Sequence, residues 1–395
     1  MSQEPRTVAQ QRWFGAAQLI SLVRSEPGIT RAAAAQRLGI GSGGAADLVA
    51  RLRTARLLDE TPAPATGRGR PTTVLGAHPE GPLVLAAELR AGDWRLALAG
   101  FDGLPRVVAQ ARNVGADPAR LLADTAAAIA AVYAERPQRI RAVAVSAAGT
   151  VSDARLVQFT TRGWTGVDLS GLTSGLGDDA DLPLLLGNDA TLAGLAEARS
   201  GAARGAATAL HLLIAVGLGG TLVVNGEPVT GAHGAAGEYG HVPFGDGRLV
   251  CPCGARGCWD LSIDGRALAR HLGEPAPADP VGYAHDVLGR APSPRRTAAL
   301  EALASALGAG IGGLVNLHDP EVVTLGGLAG PLRAAACEAF DTAYRDGLMS
   351  FRKSSAPPVR NGHHGEDGPL HGAIAWGLDH ITTERALADW ARTGC

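Results

Sequence analysis

The 395-residue sequence contains few aromatic residues and no long hydrophobic run. Phenylalanine, tryptophan and tyrosine together make up 4% of the chain, so its core has to be built mainly from alanine, valine and leucine. No apolar run comes close to the ~20 residues that a membrane-spanning helix needs. The N-terminus reads MSQEP, without the basic and apolar stretches of a secretory signal. We therefore expect a cytoplasmic protein that does not enter a membrane.

Cysteine is also scarce, and its distribution is uneven. Three of the five cysteines, Cys251, Cys253 and Cys258, lie within eight positions of one another. Without an export signal, such a cluster indicates a metal site rather than disulfides. Cys337 and Cys395 have no neighbours of this kind and are expected to be ordinary thiols.

The small net charge of −2 hides an asymmetry along the chain. Residues 1–75 carry ten arginines and five acidic residues, a net charge of +5, whereas the remainder carries −7. A basic head on an acidic body is typical of a DNA-binding unit attached to another domain.

The basic head predicts three helices, over residues 8–25, 31–38 and 42–55. Thr30 and Ser42 are suitable N-caps for the second and third helices. The link between these two helices is the short sequence GIG, which is typical of a helix-turn-helix. The sequence therefore predicts a DNA-reading unit, with a simple three-helix packing unit as the alternative.

A β-hairpin wing is expected to follow, because residues 67–75 read GRGRPTTVL. Glycine allows a backbone to enter a narrow groove, and arginine is favoured by the negative potential there. The alternative is a flexible Arg-rich linker. Gly43 and Gly44 leave few side chains for base reading at the start of the third helix. The predicted DNA-contacting residues are Ser42, Arg51, Arg53, Arg68 and Arg70.

From Pro82 onward, short strands alternate with Ala-rich helices. A β-hairpin is predicted over residues 83–88 and 94–99, and helices are predicted over 121–133 and 190–199. Further strands are predicted over 142–146, 184–186, 209–215, 221–224 and 322–325. Alternation of this kind favours an α/β protein of two lobes.

His241 and the three clustered cysteines have the spacing of a closed metal site. Nine residues separate His241 from Cys251, and the cysteines follow the pattern C-x-C-x4-C. One imidazole and three thiolates complete a tetrahedron around Zn²⁺ and leave no position for a catalytic water. We expect a structural zinc ion, with free or redox-active cysteines as the alternative.

The run Gly237–His241 (GEYGH), followed by Cys251–Cys258 (CPCGARGC), resembles the ROK family of bacterial repressors, open reading frames and sugar kinases. This resemblance covers nearly the whole chain. It implies an N-terminal winged helix-turn-helix and a two-lobed actin-like, sugar-kinase-like (ribonuclease H-like) α/β domain. The expected division is 1–75 for the head, 76–187 for the first lobe with a C-terminal helix at about 373–395, and 188–372 for the second lobe with the zinc loop.

The resemblance also implies a sugar site formed by Asn188, Asp189, Glu238, His241 and Asp260. Carboxylates that accept sugar hydroxyls make strong, selective hydrogen bonds. The family has a glutamate where Asp260 stands, so this side chain is one methylene shorter. Asn188 and Asp189 also suit a helix N-cap. By the family pattern, His241 binds metal and sugar through its two nitrogens.

Two loops depart from the family's phosphate-binding sequences. The family's D-x-G-G-T corresponds here to residues 88–92, ELRAG, and its G-T-G-x-G-G-G corresponds to residues 215–221, AVGLGGT. An arginine replaces a glycine, and both threonines are lost. Asp189 would be the general base of a kinase, but the sequence predicts a protein without kinase activity.

These features predict a sugar-responsive transcriptional regulator, expected to be a repressor, that binds operator DNA as a homodimer or homotetramer. The protein would be cytoplasmic, and associated with the nucleoid when bound to DNA. An activator stays open as the opposite sign of regulation. The alternatives of another class are an active ROK sugar kinase with a DNA-binding head and a sensor that acts through protein contacts.

Overall fold

The computed structural model describes residues 8–63, 73–90, 92–112, 117–152, 155–159, 163–177 and 182–393. Three helices and a two-stranded antiparallel sheet form the head, which is joined to an α/β body with two five-stranded sheets. This mixed architecture confirms the predicted fold class.

The head contains α1 (Val8–Ser25), α2 (Arg31–Leu38), α3 (Ser42–Thr54), β1 (Leu58–Pro62) and β2 (Thr73–Ala77). As predicted, Thr30 caps α2, since its hydroxyl accepts a hydrogen bond from the Ala33 amide at 3.2 Å. Gly39 ends α2 in the left-handed region, with φ of 66°. This geometry confirms a tight turn between the second and third helices.

The expectation that Ser42 caps α3 is wrong. Gly41 occupies the N-cap in extended backbone, and Ser42 is already the first helical residue. The Gly41 carbonyl accepts the amide of Ala45 at 3.0 Å, which starts the helix one residue earlier than expected. β1 and β2 pair antiparallel as a hairpin, but Arg68 and Arg70 lie outside the described residues.

The first sheet of the body has the order β10-β6-β3-β4-β5. Its strands and the elements between them are β3 (Leu83–Leu89), β4 (Asp93–Ala99), β5 (Arg106–Arg112), α4 (Pro118–Glu135), β6 (Ile140–Ala147) and β10 (Leu184–Asn188). A small antiparallel sheet contains β7 (Thr150–Ser152), β8 (Arg155–Phe159) and β9 (Trp164–Asp168). β10, β6 and β3 are parallel, so their carboxyl ends meet at one edge of the sheet.

The second sheet has the order β13-β12-β11-β14-β15. It contains β11 (Thr208–Ile214), β12 (Leu218–Val224), β13 (Glu227–Pro228), β14 (Val322–Gly327) and β15 (Val359–Asn361). The accompanying helices are α5 (Asp189–Ser200), α6 (Gly265–Leu272), α7 (Pro280–Gly289), α8 (Pro294–His318), α9 (Ala329–Ala335) and α10 (Cys337–Gly347). The strands predicted for the body and the helices predicted over 121–133 and 190–199 are found, with ends that differ by a few residues.

Two helices end the described chain, where one was expected over residues 373–395. They are α11 (Gly368–Ile381) and α12 (Glu384–Thr393). The break follows from local capping, because the hydroxyl of Thr383 accepts the amide of Ala386 at 3.3 Å and starts a new helix.

Helix α8 is more apolar than expected from the sequence, in which no apolar run comes close to the length of a membrane-spanning helix. Among the described residues it is the one helix whose length and mean hydropathy would allow it to cross a membrane. However, 61% of its most apolar 18-residue window is buried inside the protein, as in the core helix of a soluble fold.

The head and the body share one hydrophobic core. Side chains of α1 and α3 pack in the same cluster as side chains of β3, α11 and α12. Trp390 of α12 is buried, and its indole Nε1 donates to the backbone carbonyl of Ala55 at 2.7 Å. The head is therefore packed on the C-terminal helices of the body.

Candidate functional site

A cavity of about 470 Å³ opens at the strand ends, between the two sheets. All five residues predicted to hold a sugar line this cavity: Asn188, Asp189, Glu238, His241 and Asp260. Both loops compared with phosphate-binding sequences also contribute to its walls, through residues such as Glu88 and Gly217. Tertiary folding thus brings together residues that are far apart in the sequence.

The side chain of Asn188 has two structural partners. Its oxygen accepts the amide of Thr191 at 3.0 Å, which makes it the N-cap of α5, and its amide nitrogen donates to the carbonyl of Gly149 at 2.9 Å. The capping alternative is therefore realised. The Thr191 hydroxyl also donates to that oxygen at 3.4 Å, so the amide nitrogen is the group that keeps a further position for a ligand.

Asp189 begins α5 and is a carboxylate that resists ionisation. Burial raises its pKa to about 7, and the negative charges of Glu88 and Glu238 add to the shift. Its oxygen accepts the Ala190 amide at 2.8 Å, which acts in the opposite direction. A carboxyl group with a pKa near neutrality can accept or hold a proton in the working pH range.

Glu238 and His241 follow Gly237, a position that only glycine can occupy. Gly237 has φ of +96°, and a β-carbon there would lie 2.0 Å from the carbonyl oxygen of Gly220. One carboxylate oxygen of Glu238 accepts the hydroxyl of Thr150 at 2.5 Å, and the other lies 3.9 Å from Nε2 of His241. Thr150 was not among the residues predicted from the sequence. The pair Gly149-Thr150, just after β6, is the sequence feature that could have pointed to it.

His241 and the three clustered cysteines form the one group of metal-binding geometry among the described residues. Their ligand atoms all lie within 4.8 Å of one another. The Sγ atoms of Cys253 and Cys258 are 3.7 Å apart, and Nδ1 of His241 is 3.9 Å from Sγ of Cys251. A zinc–sulfur distance near 2.3 Å gives tetrahedral edges of about 3.8 Å, so the donor set fits Zn²⁺.

The local backbone explains how the cysteines converge. The amide of Gly254 donates to the carbonyl of Cys251 at 2.9 Å, and Gly254 has φ of +95°. The amide of Cys251 donates in turn to the carbonyl of Ala255 at 2.8 Å. Bound metal would order this loop and, through His241, the wall of the cavity.

Asp260 lines the cavity and also contacts the loop around Leu218. Its Oδ1 accepts the backbone amide of Leu218 at 2.5 Å, and the guanidinium of Arg266 lies 3.9 Å from Oδ2. A β-carbon on Gly217 would lie 2.8 Å from this carboxylate, so the two are closely packed. Burial raises the pKa of Asp260. A sugar contact for Asp260 stays a prediction.

The first altered loop begins at an ion pair between two neighbouring strands. Glu88, at the end of β3, is 2% exposed and pairs with Arg95 of β4. Arg95 also pairs with Asp367 at 2.7 Å. Burial raises the pKa of Glu88, and the positive charge of Arg95 opposes that rise. The sequence analysis did not find Arg95, and Ala91 in this loop lies outside the described residues.

The glycines that remain in the second loop are required by packing. A β-carbon on Gly219 would lie 2.6 Å from the β-carbon of Ala190, and one on Gly220 would lie 2.6 Å from the carbonyl oxygen of His211. The loop is also tied back on itself, because the amide of Ala215 donates to the carbonyl of Gly217 at 2.9 Å. These glycines therefore carry no specific signal of nucleotide binding.

In the head, the predicted DNA contacts differ in their surroundings. Ser42 is exposed at the start of α3, next to Gly43 and Gly44. The guanidinium of Arg51 lies over the ring of Trp13, 5.8 Å from its centroid. Arg53 pairs with Asp59 at 2.9 Å. Contacts of these residues with DNA stay predictions.

The fold and the cavity define the class of protein: a sugar-kinase-like α/β body with a helical head. The chain belongs to the ROK family, whose pattern it matches over residues 91–380.

Known proteins share parts or all of this arrangement. The chain is 30% identical over 163 residues to a glucokinase of Streptomyces coelicolor, a match that covers 37% of the chain and 51%, about half, of that relative. It is 28% identical over 258 residues to an N-acetyl-D-glucosamine kinase of Pectobacterium carotovorum, covering 55% and 80% of the two chains. A ROK family transcriptional regulator, a homolog of the E. coli MLC protein, has a similar fold with a TM-score of 0.73 at 20% identity, covering 97% of this chain and 99% of that one.

Proposed function

We propose that this protein is a sugar-responsive transcriptional regulator, acting as a repressor in the cytoplasm and on the nucleoid. The head would bind operator DNA through α3 and the β1–β2 wing, and the cavity would bind a sugar or sugar derivative. The observation that carries the proposal is the combination in one chain of a helix-turn-helix head, with Gly39 in its turn, and a sugar-kinase-like cleft. The similar fold of the ROK transcriptional regulator supports it.

Electrostatics at the cleft argue against phosphoryl transfer. A kinase needs backbone amides and a free carboxylate to hold the phosphates and their metal ion. Here the amide of Leu218 already donates to Asp260, and the carboxylate of Glu88 is paired with Arg95. A nucleotide would have to displace both buried carboxylates or lie against them. We therefore propose that the cleft binds a sugar without phosphorylating it.

An active sugar kinase with a DNA-binding head is the second candidate. It is favoured by the relatives that are sugar kinases and by Asp189, whose pKa of about 7 suits a general base. Incubation with ATP, Mg²⁺ and a panel of hexoses decides between the two. We expect no phosphorylated sugar, and turnover that Asp189→Asn abolishes would overturn the regulator proposal.

We propose a division into a head of residues 1–75, a first lobe of 76–187 completed by the C-terminal helices, and a second lobe of 188–372. A homodimer or homotetramer would place two heads on the half-sites of a palindromic operator. The zinc ion bound by His241, Cys251, Cys253 and Cys258 would be structural.

DNA binding can be tested by selection, for which the operator sequence need not be known. The full chain is used to select sequences from random duplex DNA at two salt concentrations. We expect enrichment of a two-fold symmetric sequence whose affinity falls with salt, because arginines replace counterions on phosphates. Selection of no sequence above the starting pool would contradict the proposal. Arg290→Gln, which changes a residue just after α7 and outside the head, is the control variant and should select the same sequence as wild type.

Sugar binding is tested by thermal shift and calorimetry with hexoses, amino sugars and phosphosugars. A ligand that binds only the folded chain raises its melting temperature. We expect at least one sugar to bind wild type and to bind Glu238→Gln at least tenfold more weakly. Glu274→Gln, whose carboxylate pairs with Arg290 outside the cavity, should bind that sugar like wild type.

A further inference from the structure

The carboxylate of Asp379 joins two arginines from different parts of the molecule. Its Oδ1 lies 2.8 Å from Nη1 of Arg24, in the head helix α1. Its Oδ2 lies 3.0 Å from Nη2 of Arg199, near the end of α5. Asp379 itself belongs to α11 of the body. One side chain thus connects the head with a helix that begins at the cleft.

Helix α5 runs from the cleft to this ionic cluster. It begins at Asp189, which lines the cavity, and ends at Ser200 next to Arg199. Twelve residues correspond to about 18 Å of continuous helix. Asp189 and Arg199 are therefore joined by one unbroken helix, a rigid element of the kind that carries coupling between sites.

Arg199 also contacts the body on its other side. Its Nη2 also donates to Glu227 at 2.7 Å, and a β-carbon on Gly226 would lie 2.7 Å from its Nη1. The guanidinium is therefore packed against the turn between β12 and β13. A shift of α5 or of this turn has to move the guanidinium that Asp379 contacts.

Two properties would allow the ionic cluster of Arg24, Arg199 and Asp379 to rearrange. Its three side chains are partly exposed, Arg24 at 15%, Arg199 at 29% and Asp379 at 32%, so separation of the pairs leaves the charges hydrated. They also line a second cavity of about 1140 Å³ between the head and the body, which leaves room for movement. A fully buried cluster would instead oppose any rearrangement, because separated charges would lose their partners without gaining water.

We propose that Asp379 couples α5 to α1, so that movement of α5 at the cleft changes the position of the head. This inference rests on the proposed function, which identifies the cleft as a sugar site and the head as a DNA-binding unit. A ligand that moves α5 would alter the Arg199–Asp379 contact and, through it, the Arg24–Asp379 contact. The coupling is reciprocal, so a change in the head also affects the cleft.

Amide hydrogen exchange of the full chain tests the connection without sugar or DNA. Arg199→Gln changes a residue of α5, and the readout is exchange in residues 20–26 of the head. We expect exchange there to rise at least threefold, because Asp379 loses the partner that fixes its orientation. In an Asp379→Asn background, which is already uncoupled, adding Arg199→Gln should produce no further rise.

Arg290→Gln is the matched control, since Arg290 also bridges two carboxylates, Glu274 and Asp286, away from the head. It should leave exchange in residues 20–26 unchanged. Arg199→Lys keeps the positive charge and should change head exchange less than Arg199→Gln does. Unaltered head exchange in a folded Arg199→Gln variant, or a further rise in the Asp379→Asn background, would overturn the coupling.

A second arm adds D-glucose at saturating concentration to the same variants. If wild type shows a glucose-dependent change of head exchange, Arg199→Gln and Asp379→Asn should reduce it at least threefold. A full glucose response in both variants would overturn the coupling. Failure of the sugars tested under the proposed function to bind wild type, with the Arg199→Gln effect intact, counts against the sugar-sensing function and leaves the connection supported.

Discussion

The Nδ1 atom of His241 lies 3.9 Å from the Sγ atom of Cys251, while the opposite ring nitrogen lies 3.9 Å from the carboxylate of Glu238. One imidazole therefore belongs both to the cysteine cluster and to the wall of the cavity. Because a metal-bound histidine has a fixed ring orientation, metal binding would fix the position of the donor that faces Glu238.

The first prediction concerns metal content. The purified full chain should contain about one zinc ion per chain, because four donors fit a closed tetrahedral site. Inductively coupled plasma mass spectrometry measures this content. Cys253→Ser should lose most of the metal, whereas Cys337→Ser, which changes an exposed cysteine outside the cluster, should retain it. Full zinc content in Cys253→Ser would contradict the assigned ligands.

The second prediction is a pH dependence of sugar binding through Asp189. Its pKa of about 7 means that the carboxylate is mostly protonated at pH 6 and mostly ionised at pH 8. An ionised carboxylate accepts sugar hydroxyls more strongly. Affinity measured by calorimetry should therefore rise by roughly fivefold to tenfold between these pH values. Asp189→Asn should bind more weakly and lack this rise, and a variant that keeps the wild-type profile would exclude Asp189 as its source.

The same group should affect folding stability. The pKa of Asp189 is raised in the folded state, so its stabilising contribution is present below about pH 4 and is lost as the pH rises through about 7. Asp189→Asn should thus increase the free energy of unfolding relative to wild type more at pH 8 than at pH 4. The difference is at most about 4 kcal/mol, since one pKa unit corresponds to about 1.4 kcal/mol. Urea denaturation at both pH values measures it.

The third prediction concerns Asp260 and Leu218. Asp260→Ala removes the acceptor for a buried amide, which should cost about 1–3 kcal/mol of unfolding free energy. Asp260→Asn keeps an acceptor oxygen and should cost less. Urea denaturation gives the order of the two variants, with Asp286→Ala at an exposed pair as control. Equal stability of the alanine variant and wild type would show that this hydrogen bond does not hold the loop.

The fourth prediction concerns docking of the head. Trp390→Phe removes the donor to the carbonyl of Ala55 but keeps an aromatic ring, and it should cost about 1–2 kcal/mol. Hydrogen exchange should rise in residues 50–58, next to the lost contact. Trp376→Phe, a partly buried tryptophan of the same core, is the comparison. If both variants exchange alike in the head, the Trp390 hydrogen bond does not fix the head on the body.

The features that the sequence determined by itself are those encoded within short stretches. The cap at Thr30, the left-handed glycine at position 39 and the three cysteines within eight residues act over distances that the local chain sets. The strands and helices of the body follow from short hydrophobic patterns for the same reason. Ser42 shows the limit, since Gly41 just before it takes the N-cap of α3 in its place.

Only the tertiary structure decided how the charged groups of the cleft are paired. Thr150 and Glu238 are 88 positions apart, and Leu218 and Asp260 are 42 apart. The sequence specifies which residue types are present, but a hydrogen bond or ion pair forms only where folding places donor and acceptor within about 3 Å. The partners of Glu88, Asp260 and Asp379 were therefore decided by the packing of sheets and helices.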